Sequence, residues 1–506
     1  MDKKIIWNVD RASETVMWQD VRIETKDRHL YLQVNFPKEF TYGSYLVVMD
    51  ARGHLRLQKL LGYGEQNLCI GNLPEITSVG GIVGDIPEGT WQIGLGIFTE
   101  YLARYEGKLP VKVELGIATE TGVVTQPIGT HVWMHDNEQL TMDAYDWDFS
   151  TQKEERWYKG DFHTHTRLSD GKETVEGAME LAKQMELDFY VPTEHNLIHT
   201  GWVETNVLPI PGIEITTELG HCNFFGITSY PSQIMEIMRH MGQESLEKDL
   251  LQQIAEAKAK GWLVSINHPF LHIWKWLCKE VKLQDVDCLE IINDPTYQYA
   301  KESNDKAIRF LDLLWCDGYR ICGVGGSDAH NLPQERYLGA KLPSIAGDPG
   351  TYVYAKDCSP RQILQAVQKR NVCVSRFCRV EIFATDGKKR FLPGDEIPAK
   401  EIDVTIRLYG NLQNPVLFAV WYCEKEEIQR EMLTMVYKDN KYEGKYVYRV
   451  KGECWQWFRF EVRDENGQFL AYSNPLYYGK KEHRLNSYGD ALEKLEQKDA
   501  DQGNII

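Results

Sequence analysis

The sequence has no Cys-x-x-Cys pair, no apolar run of bilayer length, no internal repeat and no surplus of positive charge. Each absence excludes something. Lys and Arg number 57 against 74 Asp and Glu, a formal net charge of -17, whereas binding a nucleic acid polymer needs a basic surface. A small phosphorylated ligand stays open, because a bound metal reverses the local field. Nothing approaches the length of a membrane-spanning helix. The start, Met1 to Asn8, is basic but has no apolar core of the kind a signal peptide carries. The 11 cysteines are scattered, and Cys222, Cys288, Cys322 and Cys373 lie in apolar runs. Thiols used as small hydrophobes belong to a reducing compartment, so a cytoplasmic protein is expected.

What is present is a chain of 506 residues, 42% hydrophobic and 11% aromatic, enough for several well-filled cores. Residues 1–150 alternate as short strands, at Val21 to Thr25 and Leu30 to Val34, with an apolar run at Tyr45 to Met49. Gly and Pro punctuate them, and a β-sandwich-like domain is expected. From 151 to 378 strands alternate with helices: Glu173 to Leu187, Glu244 to Lys260 and Ala300 to Trp315 read as amphipathic helices. The strands between them imply a parallel sheet closed as a barrel somewhat smaller than the eight-fold one. Residues 379–480 return to β patterning and suggest a second small sandwich. The charged tail, 481–506, is expected to fray. Gly323 to Gly326 resembles a nucleotide fingerprint only superficially, since Asp328 and His330 follow where a helix should begin.

The residues that carry chemistry open with Gly160-Asp161-Phe162-His163-Thr164-His165, followed by Asp170. In a strand, residues two apart share a face, so His163 and His165 can reach one point. Imidazoles backed by a carboxylate are what a transition metal asks for. Further ligand types fall at the ends of successive strands: Thr193-Glu194-His195-Asn196, Gly212-Ile213-Glu214, Asn267-His268-Pro269 and Ser327-Asp328-Ala329-His330. His221 opens the strand that begins at Cys222. The C-terminal ends of parallel strands form the mouth of a barrel, where catalytic residues sit.

The order HTHTRLSD, TEHN, GIE, GH, NHP, SDAH resembles the PHP (polymerase and histidinol phosphatase) superfamily of metallohydrolases, over Trp157 to Arg376. The stretch GIEITTELGHCNFFG and the β-rich flanks look like its CehA/McbA-type branch. The resemblance implies an α/β fold, a distorted seven-stranded TIM-like barrel holding two or three divalent ions of Zn, Mn or Fe. His163, His165, bridging Glu214 and Asp328 would hold the first ion; Glu214, His221 and His268 the second; Asp170, His195 and His330 the third. Two residues depart from the pattern. Asp170 stands where several relatives have histidine, and Glu194 where they often have aspartate, with a role in orienting His195.

The implied chemistry is hydrolysis of a small phosphorylated molecule or nucleotide through a metal-bridged hydroxide, with His195, His330 and Asp328 as catalytic groups. Arg167, Arg376 and Asn196 are the candidate substrate contacts, each with a packed or solvated role as its alternative. Glu290 and Asn293 end a strand and can line the pocket; Trp274 and Trp276 can wall it, although helix packing also suits them. The same metal centre would serve a carboxylic ester, carbamate or amide hydrolase. A barrel without activity, serving as a binding scaffold, is the reading from another class.

Overall fold

The computed structural model describes residues 3–10, 15–24, 29–36, 41–62, 67–97, 106–118, 126–398, 401–424 and 426–503. Thr25 and the last three residues of the expected tail lie outside the described residues.

The alternating runs of the first part form two four-stranded sheets. One orders Lys3–Val9, Val111–Ala118, His29–Asn35 and Asn67–Gly71; the other orders Val16–Ile23, Gly89–Ile97, Ser44–Met49 and Leu55–Leu60. Their inward residues share one core that includes Trp7, Leu32, Leu46, Val48 and Trp91. The strand Ser44–Met49 lacks polar alternation because both its faces are covered. Leu46 and Val48 face this core, while Tyr45 and Val47 join the core of the central region.

The central region is mixed α/β, with many strands and few helices. Arg156–Thr164 pairs in parallel with Phe189–Pro192 and antiparallel with Gly350–Ala355, which continues to Val372–Ser375. A second sheet orders Gly212–Thr217, Gly220–Phe225, Leu263–Ile266, Cys288–Asn293 and Cys322–Gly326. Single parallel bridges, Thr164 to Ala329 and His195 to Glu214, link the two sheets. The expected helices form at Val175–Gln184, Leu246–Lys260 and Ala300–Cys316. Thr174 caps the first by accepting from the Gly177 amide, and Gly261, at φ 75°, ends the second.

The expectation of an all-parallel sheet does not hold. Gly212–Thr217 and Gly220–Phe225 are an antiparallel hairpin, and Leu263–Ile266 is antiparallel to the latter. Only Glu218 and Leu219 separate the hairpin strands, too few for a parallel crossover. This direction matters for the site. His221 opens its strand, yet it pairs with Thr216 near the end of the Glu214 strand, so both side chains emerge at the same end.

The strands after 378 divide between two sheets, one of them continuous with the central region. Phe469–Ser473 pairs with Val372–Ser375, and the ten-stranded sheet runs on to Gln456–Arg463, Val416–Cys423 and Gln429–Leu433. A five-stranded sheet including Arg379–Thr385 and Glu401–Tyr409 packs over it around Ile382, Ile406 and Phe458. Ten of the eleven cysteines are buried. No helix among the described residues is long and apolar enough to cross a membrane.

The tail corrects the expectation of fraying. Tyr488–Gly503 is a helix lying on Ala300–Cys316, with Tyr488, Ala491 and Leu495 buried. A narrow apolar stripe at helical spacing is enough to dock it, although the charged average hides the stripe. Leu495→Ala should lower stability by about 2–3 kcal/mol, read as a lower urea midpoint; a tail that frays would leave the midpoint unchanged.

Candidate metal centre

The site begins with the strand Arg156–Thr164. Its last turn places His163 and, just beyond, His165 in the interior, ring centroids 5.2 Å apart. Asp161, two residues earlier, is buried and accepts the amides of His163 at 3.0 Å, Ser327 at 3.1 Å and Gly347 at 2.7 Å. It therefore ties the His163 strand to the Asp328 loop. Burial pushes its carboxyl up to about 6, with those hydrogen bonds opposing.

Glu214 is the hub. Its carboxylate is closed to solvent and faces nitrogens of five histidines: His195 at 2.7 Å, His163 at 3.1 Å, His221 at 3.3 Å, His268 at 3.6 Å and His165 at 3.8 Å. Asn267 donates to it at 2.8 Å. Burial alone would raise its carboxyl, but His163, His221 and His195 more than reverse this and hold it well below the usual range. Asp328 stands 3.1 Å from His165 and 3.3 Å from His163, and takes a hydrogen bond from Asn293 at 3.2 Å. Toward solvent, Asp170 meets His330 at 3.2 Å and His195 at 3.4 Å. The side chains of Asp170 and His330 are about a quarter exposed (25% and 26%), whereas that of Glu214 is at 0%. The centre thus opens on the Asp170 side.

All nine expected ligand residues meet in this one cluster. Four overlapping groups have ligand atoms within 4.8 Å of one another: His163, His165 and Glu214; His163, His268 and Glu290; His195, Glu214 and His221; and His165, Asp170, His195 and His330. Sets of this kind suit divalent metal ions. The donor atoms fit such an ion. His163 Nε2, His165 Nε2 and His268 Nδ1 are buried without a hydrogen-bond partner, a costly state unless something else engages them. Glu290 stands 3.0 Å from His163 Nδ1; with an ion between Glu214 and Asp328, a proton kept on Nδ1 would leave Nε2 free to ligate it. Burial, together with His330 and His195, pushes His165 down to about 4, so it is neutral and able to ligate. Burial opposes protonation of His330, but Asp170 raises it to about 9.

Several expected roles need correction. Arg376 was a candidate substrate contact, yet its guanidinium is buried in a two-pronged pair with Asp348 at 2.7 and 2.8 Å. Asn196 spends its amide on the Thr216 backbone, donating at 2.9 Å and accepting at 3.0 Å. Arg167 Nε donates to the Lys172 carbonyl at 2.8 Å and braces its own loop. Glu194 does not orient His195 through a hydrogen bond; it grips the neighbouring loop, accepting from Thr166, Ser169 and His199. Glu290 stands against His163, accepts from the His268 amide and Asn293, and groups with His163 and His268 as a candidate ligand set. Trp276 is packed inside, while Trp274 is exposed.

Sequence reasoning missed Asp161 and the Glu194–His199 pair. A carboxylate that holds loops is the same residue type as one that holds metal, and only its amide partners tell them apart. A second histidine–carboxylate group, Asp50, His54 and Asp136, has its carboxylates engaged by Arg52 and Arg56.

No protein-family model matches the chain, and no curated protein matches it. Among solved structures, a two-domain protein of Bacteroides vulgatus, described as containing a predicted PHP-like metal-dependent phosphoesterase, aligns at 18% identity with a TM-score of 0.33. It covers 66% of this chain and 97% of its own. A candidate metal-dependent phosphoesterase of Bifidobacterium adolescentis aligns at 16% identity with a TM-score of 0.24, covering 36% and 91%. Scores this low carry no assignment, which rests on the geometry above.

Glu194 gives a test of the supporting shell. Burial would raise its carboxyl, but His199 and Ser169 hold it at about 2, below its ordinary 4.5. The stability it contributes is therefore full above about pH 4.5 and is lost as pH falls toward 2. Glu194→Gln should cost about 3 kcal/mol at pH 7, and the gap to the wild type should narrow as urea titrations are repeated toward pH 3. A gap independent of pH would refute the role.

Proposed function

We propose that the chain is a metal-dependent hydrolase of the PHP superfamily, on its CehA/McbA-like branch, acting on a small phosphoric ester. The observation that carries this reading is the buried Glu214 carboxylate among five imidazoles, three of whose buried nitrogens lack hydrogen-bond partners. In this proposal His163, His165, Glu214 and Asp328 hold one ion, Glu214, His221 and His268 a second, and Asp170, His195 and His330 a third. The ions are Zn, Mn or Fe, two or three in number. Divalent ions there would acidify a coordinated water and neutralise charge developing on ester oxygens. The frame is a distorted seven-stranded barrel over 151–378, supported by the bridges Thr164 to Ala329 and His195 to Glu214, with β domains at 1–150 and 379–480. A core of buried cysteines suits the cytoplasm.

The chain's own residues then divide the labour. With only the first two ions bound, His195 and His330 stand at the open side with Asp170 between them, where an imidazolium Nε2–H can pass a proton to a leaving oxygen. Glu290 fixes the His163 ring, and Asn293 spans Glu290 and Asp328 at 3.0 and 3.2 Å, so that neither ligand needs to reorient.

A second reading, hydrolysis of a carboxylic ester, carbamate or amide, is favoured by one observation. Arg376, one of the two arginines expected to meet a phosphate, is engaged elsewhere in a two-pronged pair with Asp348. A panel of p-nitrophenyl phosphate, bis-p-nitrophenyl phosphate and p-nitrophenyl carboxylic esters, with added Mn or Zn, separates the two. Phosphate esters should be cleaved, chelation should abolish turnover, and Glu214→Gln should lower both metal content and kcat/KM, the latter by at least about a hundredfold. Activity confined to carboxylic esters would overturn the phosphoesterase reading. Protein that binds no divalent metal, even when it is added, would overturn both.

A further inference from the structure

The loops that follow His268, Asn293 and Asp328 carry a group of aromatic rings that neither core nor metal cluster uses. His272 and Tyr299 stack in parallel at 4.7 Å. Tyr297 touches Tyr299 at 5.6 Å, Trp274 at 5.9 Å and Tyr337 at 5.3 Å, each edge to face. Trp274 and Tyr299 remain in water, 40% and 46% exposed, while Tyr297 and Tyr337 are half-buried.

Short links join these rings to the centre. Tyr337 donates to Asp294 at 2.6 Å, and the Asp294 amide bonds to the Gly326 carbonyl, two residues before Asp328. Asn293, beside Asp294, bonds Asp328. On the other loop, Leu271 bonds back to His268 and Trp274 to Leu271. The backbone is strained along the same rim, with positive φ at His268, His272, Asp294 and Asp328. Rings this large, fixed against one another yet left wet, forgo burial that is worth a good deal elsewhere.

We propose that Trp274, Tyr297 and Tyr299 form a recognition wall for a planar aromatic ring on the substrate, beside the ester that faces the metal cluster. The inference rests on the hydrolase reading and narrows its substrate class to ring-bearing esters, aryl or nucleotide. Stacking suits the chemistry of the rim. The rings contact one another instead of surrounding a hole, which fits a flat partner laid against them better than a cation held in a cage. With Arg376 paired to Asp348, the ring end of the substrate gains weight in selectivity.

The test is calorimetric titration of the metal-loaded full chain with phenyl phosphate, adenosine monophosphate, butyl phosphate and phosphocholine. The ring-bearing ligands should bind about tenfold more tightly than butyl phosphate, the worth of one stacking contact. The better of the two tells an aryl from a nucleotide source. The ratio of phenyl to butyl affinity should collapse toward one in Trp274→Ala and in Tyr299→Ala, and survive in Trp274→Phe. Both alanine positions are exposed, and an unchanged melting temperature identifies variants that fold.

An unchanged ratio in the folded alanine variants overturns the proposal. So does tightest binding of phosphocholine, which would make the rings a cation site. A wild-type dimer that dissociates in Trp274→Ala, with the ratio intact, overturns it in favour of a self-association surface. Ring preference without cleavage of any ester would leave the wall standing and overturn the hydrolase reading alone.

Discussion

The Glu214 carboxylate, closed to solvent, faces nitrogens of five imidazoles at 2.7 to 3.8 Å, and the burial of that one charge constrains everything around it. An uncompensated carboxylate there would cost several kcal/mol. The histidines that offset it come from the ends of four strand segments in two sheets, so those sheets must meet at one level. The single bridges between Thr164 and Ala329 and between His195 and Glu214 hold that level. Some of the imidazoles are in turn constrained, giving one nitrogen to the centre and the other to a fixed partner. Glu290 behind His163 and the Asp328 carbonyl beside His330, at 2.7 Å, serve that purpose.

The cluster was legible in the sequence because strand ends are legible. Apolar runs closed by His, Glu or Asp recur five times, and chance would have scattered such residues onto helix surfaces. Nine positions could be named from the resemblance, and all nine meet. The supporting acids were harder. Asp161, Glu194 and Glu290 sit at the same strand ends and are as buried as the ligands. What separates them is that they accept backbone amides, and amide positions depend on the fold, not on residue type. The same reason defeated Asn196 and Arg376, polar groups at the right strand ends whose partners, the Thr216 backbone and Asp348, lie distant in sequence. The tail helix escaped because three buried side chains decide it against a charged average.

The flanking sheets also meet the site, which domain-sized composition could not reveal. Tyr45 donates to the His195 carbonyl at 3.1 Å, Lys59 reaches the Arg167 carbonyl, and the Leu60 amide bonds to Leu168 at 3.3 Å. The two loops that bear Asp170 and His195 are thus steadied from the first sheet pair. On the far side, the sheet that carries His163 runs on through Val372–Ser375 into Phe469–Ser473. Loops are ordinarily the mobile part of such a mouth; here their backbone carbonyls are tied to neighbouring strands.

The hairpin Gly212–Thr217 and Gly220–Phe225 has a kinetic consequence. Glu214 and His221 stand on adjacent strands joined by a tight turn, so their meeting requires only a small loop to close, an event of microseconds. His163 and Asp328, by contrast, meet only when the whole central region has closed, and loop entropy delays such distant pairings. A two-residue fragment, one carboxylate and one imidazole, is therefore among the early pieces of the centre on a refolding chain. Free divalent ions would encounter that fragment before the remaining histidines arrive, so the order in which ions and chain come together bears on how the centre is assembled.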